Sequence, residues 1–109
     1  MQSAIQAHGD RYVSRVYTDD EQRDCGSDPR RLARRFAAKE ATMKALKRTN
    51  EPIPWRSIGV RMSGGGQPTI ELTGPAAELA RRRSVVGISV TLAGDDHVAS
   101  ALVMAECAR

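Results

Sequence analysis

The sequence predicts an α+β fold, a long helix packed on an antiparallel sheet in one small domain. Three observations lead there. Residues 10–48 carry helical periodicity broken by stop and start signals, two β-patterned hairpins follow, and one short helical segment separates the hairpins. The order helices, hairpin, helix, hairpin segregates the element types instead of alternating them, which favours α+β over a parallel α/β sheet. A length of 109 residues suits one domain, 1–109, and 40% hydrophobic with 28% charged residues is ordinary for a globular chain with an aliphatic core.

Met1 to Gly9 is polar and weakly patterned, and no element is read there. From Asp10 to Tyr17 the apolar residues Tyr12, Val13, Val16 and Tyr17 recur with helical spacing, leaving Arg11 and Arg15 on the other side. Thr18-Asp19-Asp20-Glu21 is a capping box: the threonine hydroxyl serves the Glu21 amide, and the acidic residues crowd the positive end of a short helix. Gly26 stops that helix after Cys25. Ser27-Asp28-Pro29 starts the next, a capping side chain followed by proline at the first helical position, and the long helix runs to Lys47 or Arg48. Thr49 to Pro54 is a loop. Trp55 opens the sheet region, where Ile58, Val60 and Met62 alternate with Gly59 and Arg61 as a half-buried strand. Gly64-Gly65-Gly66 turns the chain back into Thr69 to Leu72. The triple glycine lacks the Lys-Ser/Thr ending of a phosphate-binding P-loop and joins two strands, so it reads as a hairpin turn. Gly74-Pro75 starts a helix from Ala76 to Arg82 with Ala77, Leu79 and Ala80 inward and Arg81, Arg82 and Arg83 meeting its negative end. Val85 to Leu92 and His97 to Met104 are strands around an Ala93-Gly94-Asp95-Asp96 turn.

Composition narrows the function classes. No apolar run approaches the ~20 residues of a membrane helix, and the N-terminus lacks the basic and apolar regions of a signal peptide, so the expected location is the cytoplasm, without a membrane partner. Cys25, Cys107, His8 and His97 share no metal or redox spacing, and both cysteines read as free thiols. A net charge of +4 favours an anionic partner. Its arginines and lysines are not interleaved with aromatic stacking residues, which argues against nucleic acid. An acidic protein or a phosphorylated small molecule fits at least as well.

The chemistry concentrates on the long helix. At about 100° per residue, Leu32, Phe36, Lys39, Met43 and Leu46 share an apolar stripe, with Glu40 and Lys44 beside it. Charges at such a border either serve a specific partner, ion or cleft, or are plain surface features: a snorkelling Lys39 and an i,i+4 pair of Glu40 with Lys44. Arg30, Arg31, Arg34 and Arg35 crowd the N-terminal half, where they oppose the macrodipole; solvent or a bound phosphate accounts for them.

The wording Phe36-Ala37-Ala38-Lys39-Glu40-Ala41-Thr42-Met43-Lys44 resembles the signature helix of the 4'-phosphopantetheinyl transferases, in particular the small holo-acyl-carrier-protein synthase type. The resemblance continues in Arg15-Val16-Tyr17-Thr18-Asp19-Asp20-Glu21, in the strand Pro54 to Val60, in the turn Gly66-Gln67-Pro68 and in the late strand Ile88-Ser89-Val90-Thr91. Two features depart from the family pattern. No Gly-x-Asp strand, whose aspartate is a magnesium ligand in the family, precedes Arg11, and Leu92 stands where a histidine usually follows the late strand.

The resemblance implies the 4'-phosphopantetheinyl transferase fold and a magnesium-dependent transfer of phosphopantetheine from coenzyme A to a serine of an acyl or polyketide carrier protein, in fatty acid or polyketide biosynthesis. By resemblance Glu40 is the magnesium ligand, and Lys44, one turn along, contacts the coenzyme A phosphates. Arg35, Phe36 and Lys39 line the nucleotide pocket, and Arg11 and Arg15 grip the acidic carrier protein. It also implies a homotrimer with active sites between subunits. The missing aspartate leaves three accounts open: a late start of the chain, a ligand from another subunit, or a non-transferring or repurposed homologue that binds a carrier protein or coenzyme A derivative. Asp95, Asp96 and His97, close to Leu92 in sequence, either compensate for the losses or are simply a turn and a strand start.

Overall fold

The computed structural model describes residues 11–46, 52–94 and 99–108. Residues 11–16 are helical (α1) and lead through Tyr17 into α2, Asp19–Cys25. The capping box is present in full: the Thr18 hydroxyl accepts from the Glu21 amide at 3.1 Å, and the Thr18 amide donates to Glu21 Oε1 at 2.8 Å. Gly26 ends α2 at φ 57°, a conformation that costs a residue with a Cβ about 1–2 kcal/mol. Helix α3, Pro29–Leu46, begins with Asp28 Oδ1 accepting from the Arg30 amide at 3.0 Å.

Trp55–Ser57 forms a single 3₁₀ turn, so the tryptophan precedes the sheet region and is not part of it. Strands β1, Ile58–Met62, and β2, Pro68–Leu72, pair antiparallel, Ile58 opposite Leu72 and Met62 opposite Pro68. The expected alternation holds only in part. Gly59 is buried too, beneath the Thr18 methyl and beside the Glu71 backbone, while Met62 lies next to the hairpin turn, opposite Pro68, and is 37% exposed. Helix α4, Gly74–Arg82, starts two residues before its expected beginning and turns Ala76 into the core, with Leu79 and Ala80. Strands β3, Val85–Gly94, and β4, Ala99–Cys107, form a second hairpin that outlasts its predicted ends. The expected antiparallel sheet is thus two separate two-stranded sheets. The expected end of the long helix at Lys47 or Arg48, the polar start Met1 to Gly9 and the turn residues Asp95 to His97 lie outside the described residues.

Helix α3 lies chiefly against β4, with β1, β3 and α2 on its flanks. Two apolar clusters result. Leu46, Ile53, Ile58, Ala76, Leu79 and Ala80 form one, and Val16, Tyr17, Cys25 and Leu32 form the other, flanked by Tyr12, Val13, Phe36 and Trp55. Both cysteines are free; Cys25 is buried and Cys107 exposed. Burial holds the Cys25 thiol above the ordinary range. Since the thiolate is the reactive species, iodoacetamide at neutral pH is expected to add one group to the native protein, at Cys107, and two after denaturation. Modification of Cys25 in the native protein, read by peptide mass mapping, contradicts its burial.

Candidate active site

Helix α3 distributes its charged residues over different sides. Glu40 and Lys44 are both exposed, one turn apart, and neither joins an ion pair among the described residues. The alternative of a Glu40–Lys44 surface pair is therefore not formed. No group of three or more His, Cys, Asp or Glu side chains among the described residues could hold a metal. Glu40 is a single hard oxygen donor, which suits magnesium only where phosphate oxygens and water complete the shell.

Arg31, Arg34 and Arg35 face a cleft of about 780 Å³. Its other walls bring together Met62, the turn at Gly66, Gln67 and Pro68, and the end of β3 from Val90 to Gly94. Arg34 donates to the Gly94 carbonyl at 3.2 Å and so ties α3 to that hairpin. The Arg35 side chain is only 8% exposed, its nearest counter-charge is Asp24 at 4.0 Å, and its Nε has no hydrogen-bond partner among the described residues. A buried guanidinium left this incompletely paired in a cleft wall is suited to an anion. Leu92 lines the same cleft as an apolar, half-buried wall, while Ser89 and Thr91 are exposed on the strand.

Two of the residues expected in a nucleotide pocket, Lys39 and Phe36, do not line this cleft. Lys39 is fully buried: its ammonium lies 2.6 Å from Glu21 Oε1, donates to the Trp55 carbonyl at 3.2 Å and also donates to the Ile58 carbonyl. All three of its protons are used inside the protein. Phe36 packs its ring on Trp55, centroids 4.9 Å apart at 40°, within an apolar cluster and away from the cleft. The apolar stripe noted in the sequence is what draws both inward. Glu21 is the residue that sequence reading used only as a cap. Its second oxygen also accepts from the Val60 amide at 2.8 Å, and it is fully buried. Arg11 and Arg15 are exposed on α1.

A sequence profile described as the 4'-phosphopantetheinyl transferase superfamily matches residues 1–102. The chain is 39% identical over 116 residues to a holo-[acyl-carrier-protein] synthase of Chelativorans sp. (strain BNC1), covering 97% of this chain and 86% of the relative. It superimposes on the Mycobacterium tuberculosis acyl carrier protein synthase structure with a TM-score of 0.74 at 34% identity, over 90% of this chain and 87% of that one. The Helicobacter pylori holo-[acyl-carrier-protein] synthase, solved in complex with coenzyme A, shares the fold at a TM-score of 0.84 and 22% identity, over 96% and 90% of the two chains. The signature helix Phe36 to Lys44, the two-hairpin α+β architecture and these likenesses agree: the chain belongs to the 4'-phosphopantetheinyl transferase superfamily, within its holo-[acyl-carrier-protein] synthase type.

Proposed function

We propose that residues 1–109 act as one phosphopantetheinyl transferase domain that moves 4'-phosphopantetheine from coenzyme A to a serine of an acyl or polyketide carrier protein. The observation that carries this reading is the incompletely paired, buried Arg35 beside Arg31 and Arg34 in a cleft of about 780 Å³, on the same helix that displays Glu40 and Lys44 to solvent. In the transfer a carrier serine oxygen attacks the β-phosphorus of coenzyme A, and the bond to adenosine bisphosphate breaks. Such a step depends on placed positive charge far more than on covalent help. Glu40 would hold magnesium together with phosphate oxygens and water, and when bound the ion would supply charge neutralisation at the reacting phosphates. Lys44 contacts the phosphates one turn along, the three arginines hold the remaining phosphate charge, and Arg11 and Arg15 attract the acidic carrier.

A homotrimer fits this division of labour. At about 100° per residue, Glu40 points some 120–180° round α3 from Arg31, Arg34 and Arg35, so one protomer offers coenzyme A either the cleft or the Glu40 face. A neighbouring protomer supplies the other. The outer face of the second hairpin has the apolar surface for such contact: Val86 is 69%, Leu102 64% and Met104 63% exposed. Replacing Leu102 by aspartate is expected to convert the trimer to monomer in light scattering, with transfer lost; a wild-type monomer that transfers at full rate overturns the shared site. No helix among the described residues is long and apolar enough to cross a membrane, and carrier-protein chemistry in fatty acid or polyketide biosynthesis suits the cytoplasm.

Mass spectrometry of apo carrier proteins incubated with the protein, coenzyme A and magnesium tests the function, with a gain of one phosphopantetheine mass as the expected result. Leu92 in place of a histidine and the lone Glu40 carboxylate favour one other reading, a homologue that binds a carrier or coenzyme A without transferring. That reading predicts binding with no mass gain on any carrier. In calorimetry, Arg35→Gln is expected to weaken coenzyme A binding roughly 10-fold or more, the cost of one charge-assisted hydrogen bond. Unchanged affinity removes the cleft from the site.

A further inference from the structure

The Glu21–Lys39 pair is fully buried and more completely satisfied than stability alone calls for. Glu21 sits at the start of α2 and Lys39 in the middle of α3. Through Lys39 the junction also reaches the carbonyls of Trp55 and Ile58, and through Glu21 the amides of Thr18 and Val60. It joins both apolar clusters, since Ile58 belongs to one and Tyr17, whose ring centroid lies 5.8 Å from the Lys39 ammonium, to the other. A buried ion pair is a poor source of net stability: desolvation offsets most of its attraction, and apolar residues of equal shape commonly do as well. Desolvation also holds the Lys39 ammonium below its ordinary pKa, against the pull of Glu21. What such a pair supplies is a unique geometry.

Helix α3 has need of one. Ala33, Ala37, Ala38, Ala41 and Ala45 make much of its surface smooth, and its large apolar side chains are few: Leu32, Phe36, Met43 and Leu46. Small side chains key less closely into a facing sheet than large ones, and the hydrogen bonds from Tyr17 to the Leu32 carbonyl and from Arg34 to the Gly94 carbonyl hold only the N-terminal half of the helix, so the buried pair is the polar anchor beside Glu40 and Lys44. An ammonium with three protons to place tolerates no latitude, because a turned helix leaves buried donors and acceptors unmet. Glu40 follows Lys39 directly, and Lys44 lies five residues on, so whatever fixes Lys39 fixes the direction of both.

We propose that Glu21 and Lys39 are a positioning pair for the transfer reaction, holding α3 at the rotation in which Glu40 and Lys44 meet magnesium and the coenzyme A phosphates. The proposal rests on the transferase reading above. Neither residue touches substrate; both act through Glu40 and Lys44.

The test removes both charges together, so that no unpaired charge remains buried. In Glu21→Gln/Lys39→Met the expected protein is folded, keeps the wild-type oligomeric state and keeps the KM for carrier within about 2-fold, because Arg11 and Arg15 stand on α1 and are not turned. Its kcat falls roughly 10–100-fold, the scale of an ångström-sized misplacement, and the magnesium concentration for half-maximal rate rises. Should that variant fail to fold, Glu21→Gln/Lys39→Gln, which keeps a donor for the Trp55 and Ile58 carbonyls, undergoes the same measurements. A folded double variant with wild-type kcat and magnesium dependence overturns the proposal, and so does a uniform decline in which carrier KM worsens along with kcat. Wild-type protein that transfers nothing to any apo carrier sinks the transferase reading first, before any variant is compared, and the positioning role with it.

Discussion

Glu40→Ala is expected to abolish phosphopantetheine transfer while leaving the fold intact. The carboxylate is exposed and makes no ion pair among the described residues, so its removal unmakes nothing in the core, and surface changes of this kind shift stability by about 0.5 kcal/mol or less. Its loss from the reaction is far larger. On the proposed reading Glu40 is the carboxylate that α3 offers a magnesium ion, and removing a group that places charge on a reacting phosphate costs on the order of 100–1,000-fold in rate. Excess magnesium is expected to recover part of the rate in Glu40→Gln, which keeps a neutral oxygen in place. The measurement is carrier-protein mass gain over time, alongside a thermal unfolding curve. Retained transfer in Glu40→Ala moves the metal ligand elsewhere in the assembly.

Lys39→Met is expected to be the most destabilising single substitution in α3, although Lys39 and Lys44 look alike in sequence. Removing one partner of a buried pair leaves the other charge without compensation, at a cost of about 3–5 kcal/mol, a large part of the ~5–15 kcal/mol that holds a domain of this size folded. The Trp55 and Ile58 carbonyls lose a donor at the same time. Lys44→Met, on the exposed side, is expected to cost about 0.5 kcal/mol or less. Denaturant titrations at one fixed protein concentration separate the two, because any subunit association would add a concentration-dependent term. The single tryptophan reports locally, because Trp55 carries one of the carbonyls that Lys39 holds. Equal midpoints for the two variants mean that the Lys39 ammonium is not committed to a buried pair.

These two lysines show where sequence reading succeeds and where it stops. The stripe of Leu32, Phe36, Lys39, Met43 and Leu46 puts Lys39 on the apolar side and leaves Glu40 and Lys44 beside it, and that much is geometry of a single helix. What an inward lysine meets is a different question. Glu21 is 18 residues away in sequence, with its own local reason to exist as the closing half of a capping box, and nothing near either residue announces the other. The family resemblance assigned Lys39 and Phe36 to the nucleotide pocket. The structure gives one to a buried pair and the other to Trp55. Arg31, Arg34 and Arg35 were visible as an unusual charge run against the macrodipole, but their cleft also needs Gln67, Pro68 and the end of β3.

The sequence by itself determined many features whose physics closes within a few residues. The capping box at Thr18, the stop at Gly26, the start at Asp28 and Pro29, the glycine turn between β1 and β2, and the β-prone late strands were all legible, because each depends on φ, on a neighbouring amide, or on local side-chain preference. Only the tertiary structure decided the division into two sheets, the inward turn of Ala76, the burial of Gly59 beneath Thr18, the Glu21–Lys39 pair and the meeting of Arg34 with Gly94, 60 residues further along the chain. Those depend on desolvation and on which distant groups share a space, and spacing along the chain carries no information about either.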